Sequence, residues 1–424
     1  MRASRLGDVV TSMKNGIYKP ATEYANDGMP CLRMYNIEAG SIVWRDIKRM
    51  RINEREFAEY GLREGDLLVN RVNSRELVGK AACIPARLEP SVFESKNIRV
   101  RLDRAKVIPK FINFQLFANG SRHFANNAQQ VVGMASISQG QLADFPIVLT
   151  DIDRQRLIVS ELEKQFSRLN EAVANLRRVK ANLRHYRVAV LRAATLGELF
   201  GDFETTGDPG SELPSLPAGW CWSTADTAID GFDAVASFKC IERPPETGEV
   251  GVLKVSAVTW GVYDEAESKT CVDPSRVNPR FVVRSGDFLF SRANTIDLVG
   301  ACVIVGNTTK QLMLSDKTLR FRINPRVSPC WLQCCLRSQL GRAEIERLAT
   351  GNQQSMRNIG QERIRQIRIP LPPLAEQHRI VAEVDRRLSI VREVEAEIDS
   401  NLMRAQTLRQ AVLAKAFGKR GTTN

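Results

Sequence analysis

The chain has 424 residues, enough for two or more domains, and its hydrophobic fraction of 43% is ordinary for a folded protein. No apolar run reaches the roughly 18–20 residues that span a bilayer, and residues 1–10 lack the apolar stretch of a signal peptide, so we expect a cytoplasmic protein. The formal net charge of +13 and the pI of about 9.5 favour an anionic partner, with nucleic acid the first candidate and an anionic membrane surface the second.

The first predicted domain spans residues 1–150 and is mixed α/β, with strands dominating. A Gly-Asp turn at Gly65 leads into a short apolar strand that ends at Asn70. Lys96–Leu102 alternates basic and apolar residues, a pattern typical of a half-exposed strand with a cationic face. Pro109–Asn119 is predicted to be a helix near the end of this domain.

Residues 151–196 are predicted to form one long helix. Large apolar residues recur from Ile158 to Val190 at the helical spacing of about 3.6, in a narrow stripe flanked by Arg, Lys and Glu. Neither Pro nor Gly interrupts the pattern, and at about 1.5 Å per residue the helix would be roughly 65 Å long. Residues 197–218 follow as a predicted flexible linker, because Gly201–Gly219 is rich in Gly, Pro and acids and contains no Lys or Arg.

The remaining chain repeats this order. A second domain is predicted over residues 219–370, beginning with Trp220 and Trp222 as buried anchors, and with a helix over Ser328–Leu340 near its end. A second long helix is predicted over residues 371–418, with a proline-rich entry, and residues 419–424 are expected to be a disordered tail.

Matched segments show that the chain is an internal repeat. Gly286–Asn294 follows Gly65–Asn73 at an offset of 221 residues, and Lys317–Ile323 follows Lys96–Leu102 at the same offset. The long helices match at an offset of 222 residues, as Gln155 does with Gln377. One register over most of the chain predicts two tandem copies of a domain followed by a long helix. The nearest matching partner for each helical stripe is the other copy; the alternative is two independent surface helices.

The cysteines, histidines and short motifs argue against an enzyme. The nine cysteines form no Cys-x-x-Cys pair, and Cys330, Cys334 and Cys335 are too crowded for ordinary zinc-ligand spacing. Two of the three histidines lie on the predicted long helices. The chain contains no phosphate-binding loop, no dinucleotide-binding glycine motif and no Asn/Asp-Pro-Pro-Tyr/Phe motif for methylation of a base. We therefore expect no catalytic residues, no cofactor and no metal.

Polar residues at the ends of matched strands are the candidate DNA contacts. Arg can grip guanine and Asn can grip adenine in bidentate fashion, and lysines at strand starts can contact phosphate. The alternatives are that these side chains satisfy the turn, pair with Glu76 or Asp297, or stay solvated. The loop Lys14–Lys19 is basic with one tyrosine, and its counterpart at Ala236–Cys240 differs, as two domains that read different sequences would require. The candidate DNA-binding residues are Lys14, Asn15, Tyr18, Arg71, Asn73, Ser74, Arg75, Lys96, Lys239, Arg292, Asn294, Thr295 and Lys317.

The helical stripes give the candidate interface between the helices, or with a partner protein. Its residues are Leu162, Phe166, Leu169, Leu176, Leu183, Val384, Leu388, Val391, Ile398 and Leu402. Basic residues on other faces of the first helix are candidates for phosphate or partner contact, with a solvated face as the alternative; they are Arg177, Arg178, Lys180, Arg184 and Arg187.

The doubled pattern resembles the specificity (S) subunits of type I restriction-modification systems. The residues that carry the resemblance are Gly286–Gly300 (GDFLFSRANTIDLVG), Leu314–Arg322 (LSDKTLRFR) and Gly351–Glu383 (GNQQSMRNIGQERIRQIRIPLPPLAEQHRIVAE), with a weaker version in Gly65–Gly79 and Asp151–Glu161. The first copy departs from this pattern at Thr150–Asp153, where the second copy has Pro372–Ala375, and it lacks a counterpart of Trp220.

The resemblance implies an α+β fold with two tandem mixed α/β target recognition domains, separated by two long helices that pair as an antiparallel coiled coil with pseudo-two-fold symmetry. It implies that each domain reads one half of a bipartite double-stranded DNA site and that the coil sets the spacer. It also implies docking of methylation subunits, probably two, which carry the S-adenosylmethionine chemistry, and then of restriction subunits, with no membrane partner. A stand-alone DNA-binding regulator, a self-sufficient nuclease or methyltransferase, and a coiled-coil scaffold remain the competing hypotheses.

Overall fold

The computed structural model describes residues 2–131, 133–201, 205–206, 213–237, 239–259, 262–353 and 356–417. The chain forms two compact units, one comprising Met1–Leu176 with Asp399–Asn424 and the other Arg177–Ile398. The boundary between the units therefore falls within both long helices, which span Ile152–Leu196 and Leu374–Phe417 and agree closely with the predicted ranges. The predicted tail and residues 202–204 and 207–212 of the predicted linker lie outside the described residues.

The first unit is built around a four-stranded antiparallel sheet. From one edge to the other, its strands are Val10–Asn15, Asn97–Leu102, Leu67–Asn70 and Ala81–Cys83. The other strands of this unit are Arg2–Arg5, Tyr24–Leu32, Ile37–Glu38, Ser41–Ile42, Lys48–Met50, Val72–Asn73, Val92–Phe93, Gln129–Val131, Met134–Ser136 and Pro146–Leu149, and its shorter helices are Glu54–Tyr60, Pro109–Asn127 and Gln139–Ala143.

The second unit repeats this topology. Its central antiparallel sheet has the order Ile229–Asp233, Thr318–Ile323, Phe288–Ser291 and Cys302–Ile304. Its other strands are Thr205–Thr206, Leu216–Pro217, Cys221–Thr224, Cys240–Ile241, Gly251–Leu253, Val258–Thr259, Val262–Tyr263, Ser268–Cys271, Ala293–Asn294, Leu312–Met313, Thr350–Gln353, Met356–Asn358 and Arg368–Leu371, and its shorter helices are Pro329–Arg337, Gln339–Leu348 and Gln361–Arg365. The equivalent sheets confirm that the sequence repeat is also a structural repeat.

The first strand of each copy closes the domain against its last strand. Arg2–Arg5 pairs with Pro146–Leu149, and Cys221–Thr224 pairs with Arg368–Leu371, both antiparallel. In the first copy, backbone hydrogen bonds form this pairing without a counterpart of Trp220. In the second copy, Trp220 is buried and donates from Nε1 to Glu376 at 3.0 Å, whereas Trp222 is only half-buried.

A buried glutamine joins each domain to the start of its long helix. Gln155 accepts a hydrogen bond from the backbone N–H of Ile108 at 2.9 Å and donates to the Thr150 carbonyl at 2.8 Å. Gln377 accepts from the Ser328 N–H at 2.8 Å and donates to the Pro372 carbonyl at 2.9 Å. Since a buried amide needs partners for both its donor and its acceptor, the two matched glutamines have equivalent structural roles.

The prediction of a half-exposed cationic strand face is wrong for Arg99 and Arg320, whereas Arg322, on the matched strand of the second copy, is exposed. Arg99 is only 5% exposed, and its Nη1 donates to the carbonyls of Glu59 and Gly61 at 3.1 and 2.9 Å. In the second copy, Arg320 pairs with Asp233 at 2.8 Å and with Asp287 at 3.0 Å. A guanidinium can be buried when carbonyls and carboxylates replace its water, so these arginines stabilise the domains and do not present a solvated face.

The predicted apolar stripe on each long helix is only partly buried. Leu162, Phe166, Val384, Val391 and Ile398 are buried, and the other five predicted stripe residues, Leu169, Leu176, Leu183, Leu388 and Leu402, are half-buried.

The two long helices contact each other within each unit. Arg409 lies over the Phe166 ring at 5.5 Å in the first unit, and Arg187 pairs with Glu395 at 2.5 Å in the second. The apolar residues Val179, Tyr186 and Leu408, which lie on the same two helices, are exposed.

Candidate nucleic-acid interface

The same backbone hydrogen bond joins the predicted arginine to the predicted lysine in both copies. In the first unit, the backbone N–H of Arg71 donates to the Lys96 carbonyl at 2.8 Å, and the Arg71 carbonyl accepts from the N–H of Ile137 at 2.9 Å. In the second unit, the N–H of Arg292 donates to the Lys317 carbonyl at 2.9 Å, and the Arg292 carbonyl accepts from Ile359 at 2.9 Å. We refer to these residues as the two Arg–Lys pairs, Arg71 with Lys96 and Arg292 with Lys317.

The side chains of the Arg–Lys pairs are available for a ligand. Lys96 is exposed, and Arg71, Arg292 and Lys317 are half-buried. Among the residues that the structure describes, none of the four forms a side-chain hydrogen bond or an ion pair, and the Nε of Arg71 is buried without a partner. The alternative that these arginines pair with Glu76 or Asp297 is therefore not seen. Their backbones are held on both sides while their charges are left unneutralised, which suits an anionic partner.

The loop Lys14–Lys19 lies beside the first pair. Ile17 donates to the Phe93 carbonyl and accepts from the N–H of Ser95, both at 2.9 Å, and Tyr18 is 80% exposed. The loop lysines are less available than predicted, because Lys14 pairs with Glu59 and thereby lowers the pKa of that carboxyl group. Lys19 pairs with Glu56 at 2.9 Å, and Asn15 accepts a hydrogen bond from Gln139 at 3.0 Å.

The asparagines of the two turns have structural partners. Asn73 is only 7% exposed, its amide donates to Asn70 at 2.7 Å, and its side-chain oxygen accepts from the N–H of Ser74 at 2.9 Å. Asn294 accepts from the N–H of Thr295 at 2.9 Å in the same manner. This corrects the prediction for Asn73, whose amide is committed within the turn. Arg75 is exposed, although its Nε donates to the Ala125 carbonyl at 3.0 Å.

Tyr35 is a candidate that the sequence analysis missed. It is 65% exposed, and the Arg33 guanidinium lies 5.5 Å from its ring centre. The segment is held beside Lys96, since the Met34 N–H donates to Glu94 Oε1 at 2.9 Å. The repeat register contains a signal for this segment, because Arg33 and Lys254 occupy the same position in the two copies.

A polar cleft lies at Lys317 of the second pair. Among the residues lining it are Ser237, Lys254, Lys269, Ser315 and Lys317. Lys269 and Lys254 both pair with Glu242, the latter at 3.9 Å, and Lys239 is exposed two residues after Ser237. The structure thus brings the predicted loop and the predicted strand start of the second copy together.

Other kinds of site are not found within the described ranges. No group of three or more His, Cys, Asp or Glu side chains in the described residues could hold a metal ion. No described helix combines the length and the apolar character needed to cross a membrane.

Comparison with known proteins places the chain among one group of relatives. No family model matches. The chain is 24% identical over 420 residues to the type I restriction enzyme EcoKI specificity subunit of Escherichia coli K12, an alignment that covers 96% of this chain and 86% of that subunit. It is 26% identical over 274 residues to the EcoEI specificity subunit of Escherichia coli, of which the alignment spans only 46%. The StySPI specificity subunit of Salmonella potsdam is 23% identical, with 96% of this chain and 86% of that subunit covered.

Solved structures share the fold. A chain from a structure of complex assembly and conformational transition of the type I R-M system has a TM-score of 0.68 at 20% identity, covering 98% of this chain and 97% of that one. The HsdS subunit from Thermoanaerobacter tengcongensis has a TM-score of 0.51 at 18% identity, covering 98% and 96%. Curated specificity subunits of type I restriction enzymes are thus similar to this chain along nearly its whole length, and the solved chains share its fold over nearly their whole length.

Proposed function

We propose that this chain is the DNA-recognition subunit of a type I restriction-modification complex and has no catalytic activity of its own. Two target recognition domains, at residues 1–150 and 219–370, each read one half of a bipartite site in double-stranded DNA. The observation that carries the proposal is the pair of matched cationic positions, Arg71 with Lys96 and Arg292 with Lys317, each tied by the same backbone hydrogen bond.

The chemistry of the two Arg–Lys pairs suits a duplex. Arg grips the O6 and N7 of guanine in the major groove, and Lys contacts phosphate, which positions the protein and makes binding salt-dependent. The net charge of +13 has the sign that this role requires. The retained candidates around the pairs are Tyr18, Ser74, Arg75, Lys239, Asn294 and Thr295, to which we add Arg33 and Tyr35.

Differences between the copies support two different half-sites. Tyr18 and Tyr35 in the first domain occupy the repeat positions of Lys239 and Ser256 in the second. The Arg–Lys pairs are the same in both domains, whereas the residues beside them differ in size, charge and hydrogen bonding. A shared Arg and Lys contact in each domain, with different contacts beside it, allows the two half-sites to differ in sequence.

The long helices at 151–196 and 371–418 are proposed to pair as an antiparallel coiled coil that sets the spacer between the half-sites. Contacts between the helices within each unit, such as Arg187 with Glu395, support this pairing. Their remaining surface, which includes the exposed Val179, Tyr186 and Leu408, is proposed to dock two methylation subunits, and restriction subunits then join the complex in the cytoplasm. Joining two DNA-binding domains in one chain raises the affinity for DNA when both domains bind at the same time.

The test is a methylome. The chain is expressed with the methylation subunit encoded beside it, and the modified genome is sequenced. The expected result is a split motif with two short specific blocks around a fixed gap. A single continuous motif would contradict the two-reader model, and the absence of any motif would favour a coiled-coil scaffold. Sequence-specific binding by the chain alone, without methylation in the co-expressed system, would favour a stand-alone regulator.

A further inference from the structure

Two cysteines of the second unit face each other across neighbouring strands. Cys240 lies on the short edge strand Cys240–Ile241, and its register partner on the antiparallel strand Ser268–Cys271 is Cys271. No part of the proposed DNA-recognition function uses these two thiols.

The hydrogen bonding around this pair brings the side chains close. The backbone N–H of Val272 donates to the Lys239 carbonyl at 3.5 Å, a bond between residues that flank the two cysteines, whereas the Cys271 N–H donates to the Val250 carbonyl at 2.9 Å and its Sγ to the Asp273 carbonyl at 3.4 Å. Directly opposed residues at such a non-hydrogen-bonded position have Cα atoms about 4.5 Å apart. A disulfide needs a Cα separation of about 4.4–6.8 Å, so a bond can form there without a large backbone movement.

Reagents can reach this pair, unlike the buried thiols of the same unit. Cys240 and Cys271 are both half-buried, and Cys240 lines the polar cleft that also contains Lys317. Burial raises the pKa of the Cys240 thiol as well, but Cys302 and Cys334 are buried more completely, and burial raises the pKa of each of these two thiols to about 12. Thiols that are protonated and inaccessible oxidise slowly.

We propose that Cys240 and Cys271 form a thiol-modification site, a dithiol that a hydroperoxide converts to an intrachain disulfide. Hydrogen peroxide oxidises one thiolate to a sulfenic acid and is itself reduced to water. The sulfur of the second cysteine then attacks the sulfenic sulfur, the S–S bond forms, and a second water leaves. The two thiols together lose two electrons and two protons, and a dithiol reductant reverses the reaction.

The experiment treats the native full-length chain with hydrogen peroxide, blocks the remaining thiols by alkylation, and digests the chain with trypsin without reduction. Trypsin releases the two cysteines on separate peptides, residues 240–254 and 270–276, because Pro244 protects the bond after Arg243. The expected product is these two peptides joined, two hydrogen atoms lighter than their sum, and separated again by reductant.

Matched variants make the result specific. Cys271→Ser removes one partner and is expected to abolish the joined peptide completely. Cys221→Ser removes an exposed cysteine whose register partner is Leu371, and is expected to leave the joined peptide unchanged. Oxidation of Cys240 and Cys271 separately to sulfinic acids, linkage of either to a different cysteine, or persistence of both thiols would each overturn the proposal. The readout does not depend on DNA binding.

Discussion

At the scale of single residues, the candidate readers are arginines whose backbones are fixed and whose charges are not neutralised. Arg71 and Arg292 each donate one backbone hydrogen bond to a lysine carbonyl and accept another from an isoleucine. Fixing the backbone reduces the entropy lost when the side chain binds. This arrangement favours base recognition, because a bidentate contact with a base requires an accurately placed guanidinium. Electrostatic attraction to phosphate tolerates a larger displacement of the side chain.

Arg292→Ala is expected to weaken or relax recognition of the half-site read by the second domain while leaving the other half-site intact. Loss of one bidentate contact costs about 1–3 kcal/mol of discrimination. The measurement is the methylome of the variant, compared with that of Arg71→Ala, which is expected to show the opposite pattern. Unchanged specificity at both half-sites would show that Arg292 does not recognise the bases.

Lys96→Ala is expected to weaken binding by a similar factor on all sequences, because a phosphate contact carries no base information. The slope of the logarithm of affinity against the logarithm of salt concentration should fall by about 1. Titrations of the complex at several salt concentrations measure this slope. Lys106→Ala is the control, since Lys106 pairs with Asp103 at 3.2 Å, and an equal change in both variants would argue against a specific phosphate contact.

At the scale of elements, the last strand of the second domain is held by a carboxylate. Glu344 accepts hydrogen bonds from the Arg368 and Arg347 side chains, at 2.5 and 2.9 Å. Burial raises the pKa of Glu344, but the hydrogen bonds from the two arginines outweigh burial and lower it to about 2. The contact joins the helix Gln339–Leu348 to the strand Arg368–Leu371, directly before the second long helix.

Glu344→Gln is expected to reduce the free energy of unfolding near neutral pH by about 1.5–3 kcal/mol, the range for hydrogen bonds to a charged group. A depressed carboxyl pKa contributes stability above its unfolded value of 4.5, and that contribution is lost as pH falls toward 2. Denaturant melts of both proteins between pH 7 and pH 2.5 should therefore converge at the acid end. A difference that stays constant with pH would mean that the charge of Glu344 is not what stabilises the strand.

At the scale of the whole molecule, the long helices are proposed to set the distance between the two half-sites. Inserting four residues, about one helical turn, at matched positions in both helices lengthens each by roughly 6 Å. Since base pairs are about 3.4 Å apart, the gap in the methylated motif is expected to grow by about two base pairs while both specific blocks stay the same. A four-residue insertion in one helix alone is the control, because it shifts the helical register and should impair the assembly. An unaltered gap in the double insertion would show that the helices do not set the spacer.

The sequence by itself determined the elements and their repetition. Both long helices, the strands after Gly65 and Gly286, and the matched positions of Gln155 and Gln377 follow from periodicity, turn residues and a constant offset, which are local or self-comparing signals. Glycine is required after the first long helix, where Gly197 has a φ of +78°. These features need no knowledge of which segments pack together.

Only the tertiary structure decided which polar side chains remain available. Arg99 and Asn73 resembled surface contacts in the sequence, but the Gly61 carbonyl, distant in the chain, accepts a hydrogen bond from Arg99, and the side chain of Asn70 satisfies the Asn73 amide within the folded turn. The repeat register marked the position of Arg33 but not that of Tyr35, which is exposed on a segment that hydrogen bonds to Glu94 hold in place. Whether a charge faces solvent or an internal partner depends on contacts between residues far apart in the chain, and local pattern does not encode those contacts.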